Sequence, residues 1–296
     1  MRTVRTVSEV RESMKEERRQ DNTVGLVPTM GSFHEGHLSL MRKARDECDV
    51  VVVSLFVNPG QFTAGEDLEA YPRDEQRDAE RAEQAGADYL FAPTRDEVYP
   101  EGFDTSVEVG GLTSVLCGDP TRRGPEHFRG VTTVVTKLLN MVQPDVAYFG
   151  QKDAQQALVV RKLARDLDIP VRIAVSPTVR DPDGLALSSR NAYLDAEERE
   201  RARALSRGLR SAEAAVAAGE REAAAVLRAA RAELDAAGVE PEYLELRSLE
   251  DLSPVQRVNG STLLAVAARV GRARLIDNTI LVAEAPATGE DTQGDT

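Results

Sequence analysis

Apolar residues in this chain fall into short continuous runs separated by longer amphipathic stretches. The clearest run is 50–57 (VVVVSLFV), bounded by Asp49 on one side and by Asn58, Pro59 and Gly60 on the other. A strand apolar on both faces belongs inside a parallel sheet covered by helices. Residues 24–27, 88–92, 146–149 and 171–175 read as shorter strands of the same kind. Between them, 38–47, 74–85, 132–142 and 154–167 carry helical periodicity. Strands alternating with helices of this length predict crossover units and an α/β fold with a doubly wound parallel sheet.

The pattern changes after Arg190. Residues 196–237 are dominated by Ala, Arg and Glu, strong helix formers, with Gly208, Gly219 and Gly238 as the expected breaks. Two strand-like segments, 263–270 and 274–282, follow on either side of Gly271 and predict a hairpin. Helices followed by a hairpin make a smaller C-terminal α+β domain. The expected division is 1–178 and 179–285, with 286–296 as a disordered acidic tail that lacks periodicity.

Composition narrows the partners. A length of 296 residues fits one large or two medium domains. With 41% hydrophobic and 29% charged residues, the chain has the make-up of a globular protein. Thirty-seven bases against fifty acids leave a net charge of −13, which argues against nucleic acid, whose phosphates need a basic face. An anionic substrate must instead find a local positive pocket. No apolar run approaches the ~20 residues of a membrane span, and the first twenty residues are charged throughout, without a signal-peptide core. Only Cys48 and Cys117 are present, as expected of a chain in a reducing cytoplasm.

The chemistry-bearing residues cluster at strand ends. Two of the three histidines, His34 and His37, stand in Pro28-Thr29-Met30-Gly31-Ser32-Phe33-His34-Glu35-Gly36-His37, between a strand and a helix. Such a junction presents free N–H groups and the positive end of a helix dipole to a phosphate. The two imidazoles add donors whose charge is expected to change near neutral pH. Their spacing differs from the HExxH of a zinc helix, and neither GxxxxGK[ST] nor GxGxxG occurs after the first strand. Lys152, in Gly150-Gln151-Lys152-Asp153, follows an apolar segment at the edge where open α/β sheets bind ligands. Ser188, Ser189 and Arg190 form a further donor set suited to phosphate oxygens. Asn58 to Phe62 places amides after the strongest strand.

Six strings appear in order between residues 28 and 194: PTMGSFHEGHLSL, FVNPGQF, YPRDEQRD, HFRGVTTVV, FGQKDAQQ and DGLALSSRNAYL. Together they resemble the pantothenate synthetase (pantoate–β-alanine ligase) family. The resemblance implies a Rossmann-like nucleotidyltransferase fold with an HxGH signature at His34 and His37, and a homodimer. It also implies a ligase reaction: pantoate and ATP give pantoyl adenylate and diphosphate, then β-alanine gives pantothenate and AMP. By the same resemblance ATP, with Mg²⁺, lies along Met30, Gly31, Ser32, Phe33, His34, Glu35, Gly36 and His37. It continues along Gly150, Gln151, Lys152, Asp153, Val179, Leu187, Ser188, Ser189 and Arg190. His37, His34, Lys152 and Arg190 are the expected catalytic groups, Gln61 and Gln156 hold pantoate and β-alanine, and Asp78 resembles a position linked to magnesium. The stretch 118–127 departs from the family pattern, with extra residues and Glu126 in place of glycine, which leaves Arg122, Arg123 and His127 unassigned. A mobile loop over 181–191, ordered by ATP, is expected from the need to keep water from an acyl adenylate.

Overall fold

The computed structural model describes residues 1–62, 68, 69 and 71–283; the expected acidic tail lies outside them. The first part of the chain runs β1 (Arg2–Val4), α1 (Val7–Arg19), β2 (Val24–Thr29), α2 (Glu35–Glu47) and β3 (Val50–Leu55). It continues with α3 (Glu75–Gln84), β4 (Tyr89–Phe91), α4 (Arg95–Val98), α5 (Pro125–Val142), β5 (Val146–Gly150), α6 (Ala154–Asp166) and β6 (Arg172–Ser176). These six strands form one parallel sheet in the order β1-β4-β3-β2-β5-β6.

The run in β3 explains why the sheet is covered on both sides. Side chains alternate across a strand, so Val50 and Val52 enter one core cluster while Val51 and Val53 enter another. The first cluster is closed by Val10 and Met14 of α1, Leu138 of α5 and Val160 of α6. The second is closed by Leu38 and Met41 of α2 and Ala82 of α3. Each fully buried valine contributes roughly 1.5–3 kcal/mol.

Strand order reverses between β2 and β5, the topological switch point of the sheet. The β2–β3 ladder continues to Thr29↔Leu55, whereas the β2–β5 ladder ends at Leu26↔Ala147. The two central strands therefore part toward their C-terminal ends and leave a crevice there.

After β6 come α7 (Ala196–Ala202), α8 (Ala204–Ala217), α9 (Ala223–Ala236), β7 (Pro241–Ser248), β8 (Gly260–Val270) and β9 (Ala273–Ala283). The last three strands form an antiparallel sheet in the order β7-β8-β9. The hairpin expected from 263–282 is thus extended by a third strand, β7. Strand β8 is buried on both faces: Leu263, Ala265 and Ala267 join the core of the parallel sheet, and Leu264, Val266 and Ala268 face α8 and α9. The two layers consequently share apolar contact.

One stretch left without elements is structured, and one further expectation needs correction. The charged N-terminal stretch holds β1 and α1, because Thr6 and Glu9 form a capping box and Val10 and Met14 are buried. Gly208 breaks no helix; the division between α7 and α8 falls at Arg203. Gly208 lies inside α8 where a Cβ would stand 2.8 Å from the Ala230 carbonyl oxygen, so it is the point of close approach to α9.

Candidate active site

The loop after β2 turns through two left-handed residues, Gly31 (φ 89°) and Ser32 (φ 54°). Backbone strain of this kind persists only where the surroundings hold it. Here the buried Asp78 carboxylate, from the first turn of α3, accepts the N–H of Ser32 at 2.7 Å and of Phe33 at 2.8 Å. Burial raises the Asp78 pKa, and these two N–H groups oppose the rise. Arg81 on the same helix donates to the Phe33 carbonyl.

The two histidines then cap α2 themselves. His34 is the N-cap residue, its Nδ1 accepting from the Gly36 N–H at 3.2 Å, and His37 Nδ1 accepts from the His34 N–H at 3.4 Å. A ring nitrogen that accepts carries no proton, so each neutral imidazole keeps its hydrogen on Nε2. The rings lie side by side, 4.1 Å between centroids. Burial first and Lys152 second lower the His34 pKa to about 4. His37 is held well below its usual value by burial, His34 and Lys152. The expected change of charge near neutral pH is therefore corrected: both rings are neutral Nε2–H donors at pH 7. Much of the helix N-terminus is also engaged, because the N–H groups of Gly36, His37 and Leu38 are bonded within the junction.

A cavity of about 250 Å³ opens at the switch point. Its wall includes Met30, His34, Gly36, His37, Gln61, Gly150, Lys152, Asp153, Gln156, Val179, Leu187, Ser188, Ser189 and Arg190. Lys152 sits on a short 3-10 turn directly after β5, 3.7 Å from the Asp153 carboxylate. Gln61 is oriented by its neighbours, donating to Met30 Sδ at 2.8 Å and accepting from Asn58 Nδ2 at 3.2 Å. Asn58 is buried and is itself braced by the Gly130 carbonyl and the Tyr99 hydroxyl. Of two adjacent amides on α6, Gln155 is spent on Cys117, Leu112 and Val115 backbone groups, and Gln156 faces the cavity.

The other expected positions stand behind this wall. Phe33 is buried in the core, Glu35 pairs with Arg42 on the outer face of α2, and Gln151 donates to Asn278 Oδ1 at 2.8 Å. Gly31 and Ser32 form the bend that Asp78 holds. Asp78 itself is committed to backbone N–H groups through both oxygens, which does not fit the magnesium role.

Segment 180–191 is fastened from the C-terminal layer. Arg180 makes a bidentate pair with buried Asp277 of β9 at 2.6 and 3.0 Å. Arg199 of α7 reaches Asp181 at 2.6 Å and Asp183 at 2.8 Å. Leu185 and Ala186 are buried between them. Of the loop 181–191 expected to be mobile, only the end from Leu187 to Arg190 borders this cavity.

Sequence reasoning left three participants unplaced. His127 Nδ1 lies 2.6 Å from the Gln61 carbonyl oxygen and its Nε2 3.3 Å from Arg123, and both residues line the cavity. Arg122 turns away, to Glu245 and the Tyr243 ring. Glu126 is exposed and does not intrude. Asn278 ties β9 to the Lys152 turn through two carbonyls, a contact 126 residues apart in sequence with no local signal.

Fold and cavity together define an open, Rossmann-like α/β protein with a histidine-capped junction at its switch point. The family model for pantoate–β-alanine ligase matches residues 2–280, and the chain belongs to that family. The pantothenate synthetase of Pelotomaculum thermopropionicum is 51% identical over 280 residues, 93% of this chain and 97% of the relative. That of Moorella thermoacetica is 51% identical over 282 residues, 95% of this chain and 99% of the relative. The crystal structure of pantothenate synthetase from Thermus thermophilus superposes with a TM-score of 0.89 at 47% identity, covering 94% of this chain and 99% of that one. A pantoate–β-alanine ligase from Francisella tularensis, crystallised with β,γ-ATP and β-alanine, gives a TM-score of 0.77 at 33% identity, covering 95% and 97%.

Proposed function

We infer that this chain condenses pantoate with β-alanine at the expense of ATP, yielding pantothenate, AMP and diphosphate through a pantoyl adenylate. The observation that carries the reading is the meeting of His34, His37, Lys152, Gln61, Gln156 and the Ser188–Arg190 segment around one cavity. Support also comes from the family match and from the ATP and β-alanine bound by the Francisella tularensis relative.

In the first step the pantoate carboxylate attacks the α-phosphorus, and the bond to the β-phosphate oxygen breaks. A carboxylate is a weak nucleophile, so positioning and charge stabilisation supply most of the acceleration. Gln61, fixed by Met30 and Asn58, and Gln156 hold pantoate. The Nε2–H groups of His34 and His37 and the Lys152 ammonium face the phosphate oxygens as negative charge develops. Neutral imidazoles serve here as donors rather than proton carriers. Ser188, Ser189 and Arg190 take the β- and γ-phosphates. In the second step the β-alanine amine displaces AMP from the adenylate.

Mg²⁺ enters with ATP, carried mainly by phosphate oxygens, the usual habit of this ion. Asp153 is the one carboxylate among the described residues of the cavity wall. On this reading residues 1–178 hold nucleotide and pantoate, and 179–285 contribute the Ser188–Arg190 segment. The reading also carries a homodimer in the cytoplasm, without nucleic-acid or membrane partners; none of the described helices is long and apolar enough to cross a membrane. Purified protein given ATP, Mg²⁺ and pantoate should form AMP steadily only when β-alanine is added. AMP formation that ignores pantoate would overturn the assignment, and light scattering decides the dimer.

A further inference from the structure

A second cavity, about 390 Å³, lies between the parallel sheet and the C-terminal layer. It shares seven of its described lining residues with the catalytic cavity, Gln156 and His127 as well as Lys152, Ser188 and Arg190, so the two adjoin along an edge that includes the donors facing the β- and γ-phosphates. Among the described residues its wall carries six cationic side chains, Arg123, Lys152, Arg190, Arg269, Arg272 and Arg274, against the carboxylates of Asp153 and Asp277. Asp277 is already paired with Arg180, and Glu242 nearby pairs with Arg274 at 2.7 Å and Arg269 at 3.7 Å. Arg272 lies over the Tyr193 ring at 5.4 Å and has no carboxylate within ion-pair distance among the described residues.

The β8–β9 turn that carries Arg272 is set in place. Gly271 has φ 56°, and a Cβ there would stand 1.9 Å from Glu198 Oε1, so the turn packs directly against the start of α7. Tyr193, beneath Arg272, ends the same 3-10 turn that begins with Ser189 and Arg190.

Resting on the reaction inferred above, we propose that this second cavity is a receiving site for inorganic diphosphate, with Arg272 and Arg269 as its outer contacts. Diphosphate leaves with the electron pair of the broken phosphorus–oxygen bond, next to the Lys152–Arg190 edge. In a molecule of net charge −13, a local concentration of guanidinium groups is where such an anion is stabilised. β-Alanine is a zwitterion of net charge zero and gains far less from these guanidinium groups than diphosphate, which carries several negative charges, so the cavity favours the departing anion.

Calorimetric titration of the full-length protein with sodium diphosphate, in the absence of ATP, tests this. Arg272→Gln should weaken diphosphate binding by about tenfold or more, Arg272→Lys should recover most of it, and the KM for ATP should stay unchanged in both. Unaltered diphosphate affinity in Arg272→Gln overturns the proposal. A parallel rise in the KM for ATP also overturns it, by assigning the arginine to the nucleotide site. Failure of the wild-type protein to make pantothenate removes the reaction instead, and the calorimetry distinguishes that case because it needs no turnover.

Discussion

The loop after β2 and the segment from Arg180 to Asn191 both bring donors to the catalytic cavity, but they are anchored from different sides. The first is held within its own layer, by the Asp78 carboxylate beneath two left-handed residues and by histidines that cap the helix they precede. The second is held across layers, by Arg180 on Asp277 and by Arg199 on Asp181 and Asp183. The first anchor uses hydrogen bonds to the buried Asp78 carboxylate and to the capping imidazoles; the second depends on ion pairs, one to buried Asp277 and two on Arg199 that are partly exposed. On the proposed mechanism the histidine donors are thus held within one layer, whereas Lys152, tied to Asn278 of β9, and Ser188 to Arg190 are held from the C-terminal layer.

The largest effect expected from this contrast falls on rate. Removing one preorganised donor costs about 3–4 kcal/mol in the transition state, or ~10²–10³ in rate. His37→Ala or Lys152→Ala should lower diphosphate release by that order with the circular dichroism spectrum preserved. Rates near wild type would take the residue out of the mechanism.

Acidification should separate the two anchors. His34 titrates near 4 when folded, against a usual value of 6.5, so below pH 6.5 the unfolded chain binds a proton that the native site refuses. Stability therefore falls as pH drops from 6.5 to about 4, by roughly 3 kcal/mol. Asp183 works in a lower window. Burial raises its pKa, but the Leu185 N–H and Arg199 hold it below the usual carboxylate value, so its contribution fades only as pH falls below the ordinary carboxylate range. His34→Asn keeps a cap acceptor and should make the fall shallower in the upper window alone, where His37, also held below its usual value, still contributes. Equal slopes for wild type and variant in urea titrations at pH 4–6.5 would refute this account.

Asp78→Asn comes next. An amide can accept one of the two N–H groups but presents its own N–H to the other, and a buried donor left unsatisfied costs about 1–3 kcal/mol. The variant should lose stability by that amount and raise the KM for ATP, with its Mg²⁺ dependence unchanged. A raised Mg²⁺ requirement would return Asp78 to a metal role.

Much of this was legible in the sequence, and the gaps have physical reasons. Strands such as β3 announce themselves because both faces are apolar, and the histidines, Lys152 and Gln156 stand at element starts that periodicity locates. Helix α1 was open to reading as well, since Thr6 and Glu9 have capping-box spacing, but its charged surface masks a stripe of only three buried residues. Strand β7 is masked by a register shift between Pro241 and Tyr243 that breaks its alternation. Asp78 beneath Ser32, Arg180 on Asp277 and Asn278 behind Lys152 leave no local trace, because each pairing is created by the fold. The neutral state of the histidines is likewise a property of burial beside a cation, which a motif cannot express.

The smallest expected effect probes the weaker anchor. Arg199 is about a third exposed and its two partners nearly as much, so Arg199→Ala should cost only about 1 kcal/mol in global stability, in keeping with partly exposed pairs. Locally the change is larger. Asp181 and Asp183 lose a shared cation, and the backbone from 181 to 184 keeps its turn bonds, the Arg203 bond to the Asp183 carbonyl, the Arg180 bond to the Gly184 carbonyl, and the burial of Leu185 and Ala186. Limited proteolysis within 181–191 should therefore quicken in the variant, and ATP should slow it in both proteins by engaging Ser188 to Arg190. Identical cleavage of variant and wild type would show that the remaining contacts, the buried apolar pair with Arg180 and Arg203, hold the segment without Arg199. The part of Arg199 in the contrast between an anchor inside one layer and an anchor between layers would then fall.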